Sequence, residues 1–212
     1  MLNLKQLRRE YQYQPFSRDD LAPNPFDQFV KWFEEAKRVG VMEPNAMVLA
    51  TATAEGKPST RTVLLKGVEN GGFIFFTNIE SRKAKEIGQN PLVSVTFLWL
   101  EMTRQITIEG IAELVSKEET SGYFASRPRG SQLGSSASRQ DQIIESREIL
   151  EKRYQELEKK YEGKSIPPPE YWGGYRIIPS RFEFWQGQEN RLHDRFQYVL
   201  DEGVWQIDRL SP

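Results

Sequence analysis

The only histidine in this 212-residue chain is His193, inside the run Arg191-Leu192-His193-Asp194-Arg195. The flanking segments FEFWQGQEN and FQYVL are aromatic and β-branched enough to favour strands. Alternation along a strand places Arg191, His193 and Arg195 on one face, with Leu192 and Asp194 on the other. Three cationic or near-cationic groups repel one another, so that face suits an anionic or electron-rich partner rather than a core. His193 beside Asp194 imitates part of a hydrolase triad. Strand neighbours point to opposite faces, however, and could not work as base and orienter.

Three further cation clusters sit in awkward places. In TNIESRKAKEI, Ser81 is expected to cap a helix, which puts Arg82 and Lys83 in its first turn. Cations there oppose the helix dipole by about 0.3–1 kcal/mol each. Free N–H groups with two cations would instead suit a phosphate; two solvated side chains are the alternative. In YFASRPRGSQLGSSASRQ, Tyr123 and Arg127 are four apart and share a helix face. Pro128 must end that helix, and Ser131 could cap the next, so phenol, guanidinium and hydroxyl could surround a second phosphate. An ordinary helix-loop-helix corner is the alternative. In RTVLLK, Arg61 and Lys66 bracket a short apolar strand and serve one site only if the strand bends or the ligand lies across its end. Two phosphate pockets suggest two phosphorylated ligands close together.

The elements that must position these groups read as strand-rich. NPFDQFVKWFEEAKRVG is an amphipathic helix, apolar at Phe26, Phe29, Val30 and Phe33 and stopped by Gly40. AMVLATAT and PSTRTVLLK form a hairpin, GFIFFTN a third strand, and LVSVTFLWL and RQITIEGIAELV two more. SRKAKEIGQNP is a short helix closed before Pro91. A long surface helix is expected over 139–162, with Ile143, Leu150 and Leu157 at heptad spacing, too few heptads for a coiled coil. Three final strands follow the rigid connector SIPPPEYWGG. Short strands at hairpin spacing with few helices between them indicate an antiparallel barrel rather than a parallel sheet. The length predicts a single domain over 1–212.

Composition narrows the function classes. The chain has no cysteine, which excludes disulfides and thiolate metal sites and fits a reducing cytosol, while a lone histidine excludes His-cluster metal centres. A formal charge of −1 gives no general attraction to nucleic acid or membrane. No apolar run approaches the ~20 residues of a membrane span, and the start lacks a signal-peptide core. A cytoplasmic protein is the expectation. The GKS at 163–165 lacks the earlier glycine of a P-loop, and no GxGxxG is present.

Seven segments together carry a resemblance: RREY at 8–11, RTVLLK, FTNIESRKAKEI, YFASRPRGSQ, PEYWGGYRI, FWQGQENRLHDRF and the terminal VWQIDRLSP. In this order they resemble the pyridoxine/pyridoxamine 5′-phosphate oxidase family. The resemblance implies a mainly β FMN-binding split barrel, an antiparallel Greek-key barrel with peripheral helices. It also implies a homodimer with FMN at the subunit interface. The implied reaction oxidises pyridoxine or pyridoxamine 5′-phosphate with O₂ to pyridoxal 5′-phosphate and hydrogen peroxide. FMN-binding positions fall on Arg61, Thr62, Val63, Leu64, Leu65, Lys66, Phe76, Thr77, Arg82, Lys83, Gln105, Gln140, Asp141, Trp185 and Arg195. Substrate contacts fall on Arg8, Arg9, Glu10 and Tyr11 of the N-terminal segment (1–25), and on Lys66, Tyr123, Arg127, Ser131, Arg191, Leu192 and His193. Arg191 and His193 are the implied catalytic pair. Asp141 departs from the family's pattern, which has serine after the glutamine; its carboxylate would have to turn away from an anionic cofactor. A non-catalytic split barrel holding flavin or pyridoxal phosphate is the rival reading, but it has no need of the substrate-side set.

Overall fold

The computed structural model describes residues 15–212, so Arg8 to Tyr11 lie outside the described residues. Five helices and nine strands follow in the order α1 (Pro25–Val39), β1 (Ala46–Ala52), β2 (Pro58–Leu64), β3 (Gly67–Glu69), β4 (Gly72–Asn78), α2 (Arg82–Gln89), β5 (Leu92–Trp99), β6 (Arg104–Leu114), α3 (Lys117–Ser126), α4 (Arg129–Ala137), α5 (Arg147–Lys160), β7 (Trp172–Gln186), β8 (Asp194–Asp201) and β9 (Val204–Leu210). The strands belong to one sheet, ordered β2-β1-β5-β6-β7-β4-β3, with β8 pairing β7 and β9 pairing β8. The described residues divide into two compact units, each assembled from separate stretches of chain. One unit has residues up to Leu49, Ser94–Gly110 and Pro179–Pro212; the other has Ala50–Val93 and Ile111–Ile178.

The first unit has an aromatic core. Helix α1 starts where the Asn24 side chain accepts the Phe26 N–H with Pro25 next, and ends at Gly40 in the left-handed region, φ 83°. Its buried face carries Phe29, Trp32 and Ala36, whereas Val30 is exposed, contrary to the sequence expectation. Trp32 packs edge-on against Phe184 at 5.3 Å, and Phe16 against Phe196 at 5.3 Å. Tyr198 donates its hydroxyl to Ala22 O at 2.7 Å, and burial pushes the phenol up to about 12. Strands β7, β8 and β9 pair antiparallel, with Trp185 opposite Arg195 and Gln186 opposite Asp194.

In the second unit β4 is buried almost throughout and pairs antiparallel with the start of β7, Phe76 opposite Gly174. A Cβ on Gly174 would meet the Phe76 ring at 2.7 Å and Val115 at 2.8 Å. Glycine there lets Phe76 lie flat on the strand, and Phe76 stacks with Trp172 at 5.3 Å and Tyr123 at 4.1 Å. Gly174→Ala should therefore displace Phe76 and lower the melting midpoint by an amount equivalent to about 1–3 kcal/mol, readable by calorimetry.

Two further expectations fail. The helix placed over 139–162 is only Arg147–Lys160, and Ile143 is fully exposed outside it. Asp141 has φ 67°, which no helix continues through, and its side chain is engaged elsewhere. The partly buried stripe facing Phe124, Leu133, Ile166 and Trp172 is Tyr154, Leu157 and Tyr161. The strand expected through Arg191 and His193 begins only at Asp194. Residues 189–191 form a 3-10 turn with Asn190 at φ 55° and Arg191 at φ 64°. Leu192 is thus exposed while Asp194 is buried, not paired on one face.

Candidate active site

The second unit contains a cleft of about 750 Å³. Beyond the end of β2 the chain turns, Lys66 N–H bonding Ile74 O at 2.8 Å, so that Arg61 and Lys66 both line the cleft. Thr62, Val63 and Leu64 line it with them, while Leu65 turns into the core. Phe76 and Thr77 come from β4, Lys83 from α2, Tyr123 and Arg127 from the end of α3, Ser131 from α4, and Gln140 from the following turn. The cleft thus gathers residues from both sets carried by the resemblance.

Lys83 is the centre of the first cluster. It is 4% exposed, and its Nζ donates to Thr77 Oγ1 at 3.1 Å, Ser81 Oγ at 3.2 Å and Gln140 Oε1 at 3.0 Å. No carboxylate among the described residues pairs with it. Burial lowers its pKa, Asp141 opposing and Arg61 adding to the effect. An ammonium buried among neutral acceptors is costly alone and fits a phosphate, so the donor set suits the phosphate of FMN.

Arg82 behaves differently. Its side chain is 57% exposed and pairs with Glu86 at 2.7 Å, and its backbone N–H donates to Asp141 Oδ2 at 2.7 Å. The amide expected to be free for phosphate is therefore occupied by a carboxylate within the chain. Ser81 stands at the N-cap position but makes no capping bond. Arg82 and Asp141 line a separate cleft with Lys57, Glu80 and Lys85, so Asp141 does turn away from the first.

Behind Arg61 lies Glu86, a nearly buried carboxylate. It accepts from Thr51 Oγ1 and Ser59 Oγ, both at 2.5 Å, and pairs with Arg61 at 3.3 Å. Burial opposes its ionisation, but the bonds from Ser59, Thr51 and Arg82 outweigh that and hold the carboxyl at about 2. A lowered carboxyl pKa contributes stability above the unfolded value near 4.5, lost as pH falls towards about 2. Glu86→Gln should abolish this share of the acid-induced loss, on the order of 2–4 kcal/mol, in denaturation midpoints taken between those limits.

The second cluster is built on Arg127. Its Nη1 donates to Ser135 Oγ at 2.8 Å, and its guanidinium lies 5.0 Å from the Trp172 ring and 5.7 Å from that of Phe124. Burial lowers its pKa, with Tyr123 opposing. Ser131 does not cap α4: Pro128 holds the N-cap position, and the Ser131 N–H bonds Pro128 O at 2.8 Å. Proline's fixed φ starts the helix three residues sooner than the hydroxyl would. Ser131, Gly134, Ser135 and Ser138 share the helix face lining the cleft. The last three were missed, although the small residues of GSQLGSSAS recur at i, i+3, i+4 and i+7.

The first unit holds the remaining candidates. Arg195 pairs with Glu183 at 2.8 Å, which raises its pKa against the effect of burial, and its Nη1 also donates to Ser211 O at 2.8 Å. Trp185 lies across the ladder from it, with its ring 4.6 Å from the imidazole of His193. Arg191 and Leu192 are exposed in the turn before β8, and Gln105 on β6 bonds Thr107 at 3.4 Å.

Residues 33–161 match the sequence profile of pyridoxamine 5′-phosphate oxidase, and 172–212 match that of the pyridoxine 5′-phosphate oxidase C-terminal dimerisation region. The chain belongs to the pyridoxine/pyridoxamine 5′-phosphate oxidase family. It is 54% identical to the oxidase of Crocosphaera subtropica, each chain covered completely, and 55% identical to that of Rubrobacter xylanophilus, with 99% and 97% covered. Among solved structures it is similar to PhzG of Burkholderia lata, crystallised with tetrahydrophenazine-1-carboxylic acid (33% identity, TM-score 0.87, 92% and 95% covered). An FMN-binding protein of Nostoc punctiforme related to the family has the same fold at 17% identity (TM-score 0.71, 91% and 100% covered). The split-barrel fold and the oxidase class expected from the sequence both hold. No helix among the described residues is long and apolar enough to cross a membrane.

Proposed function

We propose that this chain oxidises pyridoxine 5′-phosphate or pyridoxamine 5′-phosphate with O₂, producing pyridoxal 5′-phosphate and hydrogen peroxide, with FMN as its cofactor. The observation that carries the reading is one cleft in which Lys83 and Arg127, cations from different elements set among neutral hydrogen-bond partners, stand without carboxylate partners among the described residues. Two phosphorylated ligands account for both. When bound, FMN would supply a hydride acceptor beside the substrate's oxidised carbon, with O₂ as the final acceptor of the two electrons. Lys83, Thr77, Gln140 and Arg61 hold the cofactor phosphate, and the backbone from Thr62 to Lys66 carries the ring's edge. Arg127, Tyr123 and Ser131 hold the substrate phosphate. Gln105, Trp185 and Arg195 belong to the flavin side, and Arg191, Leu192, His193 and the 8–11 segment to the substrate ring. Arg191 and Arg195 bring positive charge to where negative charge grows during transfer.

The purified protein should show flavin absorbance that bleaches on adding pyridoxine 5′-phosphate without oxygen and returns in air with release of peroxide. A flavin spectrum indifferent to both substrates would instead favour the non-catalytic carrier.

The same proposal includes one functional domain over 1–212, a cytoplasmic homodimer and no nucleic-acid or membrane partner. Support for the dimer comes from the match to a dimerisation region and from exposed apolar side chains, Val48, Leu98 and Leu100 in one unit and Leu92, Ile111 and Leu114 in the other. Sedimentation should give about twice the 24.7 kDa chain mass; a monomer binding FMN at full affinity would remove this part.

A further inference from the structure

Gln188 is held at both ends. Its backbone N–H donates to His193 Nδ1 at 3.1 Å, and its side-chain amide donates to Asp194 Oδ2 at 2.9 Å. Asp194 is buried and also accepts from the Phe16 N–H at 3.0 Å and from Arg209 Nη1 at 2.8 Å. The turn before β8 is thereby tied to β9 and to the segment entering from the N-terminus. Trp185 packs on the imidazole and limits its rotation.

A neutral imidazole has one N–H and one accepting nitrogen, and the nitrogen that accepts carries no proton. We infer that Gln188, anchored by Asp194, fixes His193 as its Nε2–H tautomer, so that His193 meets the substrate as a hydrogen-bond donor and not as a base. The second half rests on the proposed contact between His193 and substrate; the first does not. Adding a proton at Nδ1 would set two N–H groups face to face, and the bond to Gln188 would break. The charged groups around the ring are Arg191, Arg195 and Asp194. Burial and the two arginines push its pKa below the ordinary value, against Asp194, which favours the neutral ring at pH 7. During oxidation of an alcohol the hydroxyl proton must then leave to water or another group, while Nε2–H steadies an oxygen of the substrate.

Because the chain has one histidine, ¹⁵N-histidine labelling of the flavin-loaded protein gives a single pair of ring-nitrogen signals. At pH 7 we expect a protonated-type shift for Nε2 and an unprotonated-type shift for Nδ1, told apart by their couplings to the ring protons. An Nδ1–H tautomer, averaged shifts or an imidazolium would overturn the inference. Gln188→Ala frees the turn from Asp194. It should mix the tautomers and lower kcat roughly five- to tenfold, with KM and flavin content nearly unchanged. An unchanged spectrum and kcat in that variant would overturn the role of Gln188. If the variant does not fold, the parent spectrum still decides the tautomer. Failure of the oxidase reading would appear separately, as flavin that pyridoxine 5′-phosphate does not bleach.

Discussion

Lys83→Met should weaken FMN binding about 10- to 150-fold while leaving the apoprotein as stable as the parent or more so. The affinity loss corresponds to one charge-assisted phosphate contact, about 1.5–3 kcal/mol. The opposite sign in the apoprotein follows from its surroundings: Lys83 is buried among three neutral acceptors, and burial lowers its pKa. A straight apolar side chain of similar length removes a desolvated charge. The same lowered pKa means that the unfolded chain holds this proton to higher pH than the folded one. Apoprotein stability should therefore rise as pH climbs through the folded pKa towards the usual lysine value, and the rise should vanish in Lys83→Met. Arg82→Ala is the contrast, with FMN affinity expected within about threefold of the parent because this guanidinium is exposed and turned to Glu86. Fluorescence titration of apoprotein with FMN and thermal melts across alkaline pH would measure both. A Lys83→Met protein that binds FMN normally would remove Lys83 from the cofactor site.

Adjacent in sequence, Lys83 and Arg82 mark how far sequence reading reached. The pair of cations in the first turn of α2 pointed to an anion, and Lys83 does line the cleft. What the sequence could not reveal was that Asp141, 59 positions on, takes the Arg82 amide for itself. A contact between residues so far apart depends on how the chain returns, not on local pattern. The helix expected over 139–162 failed for the same reason: charged, helix-compatible residues conceal a left-handed Asp141 until its partner is known. The Arg191–Asp194 stretch misled more simply. Aromatic neighbours suggested an unbroken strand, but two consecutive residues with positive φ carry a turn that alternation does not encode. The strands themselves were legible, since β4 and the aromatic positions of β7 bury what their composition says they should. Only the three-residue β3 was passed over, too short to hold a pattern.

Arg127→Ala should raise KM for pyridoxine 5′-phosphate by about 10- to 150-fold and leave kcat within about threefold. The phosphate group keeps its charge and bonding while the carbon is oxidised, so its partner binds ground and transition states alike and loss of that partner appears in KM. The structure adds a reason for arginine in particular. The guanidinium lies over Trp172 at 5.0 Å while Nη1 is engaged by Ser135, which fixes its plane before any ligand arrives. Lysine keeps the charge but has neither the flat stacking surface nor the fork of donors, so Arg127→Lys should recover only part of the lost affinity. Ser135→Ala should act in the same direction more weakly, about two- to fivefold in KM, by letting the guanidinium turn. Flavin content should stay normal in all three variants, because neither Arg127 nor Ser135 is among the residues proposed to hold the cofactor. Steady-state kinetics beside anaerobic flavin reduction separates the alternatives. If Arg127→Ala slowed flavin reduction at saturating substrate as much as it raised KM, this arginine would be acting on the reacting carbon. The assignment of its end of the cleft to the substrate phosphate would then fall.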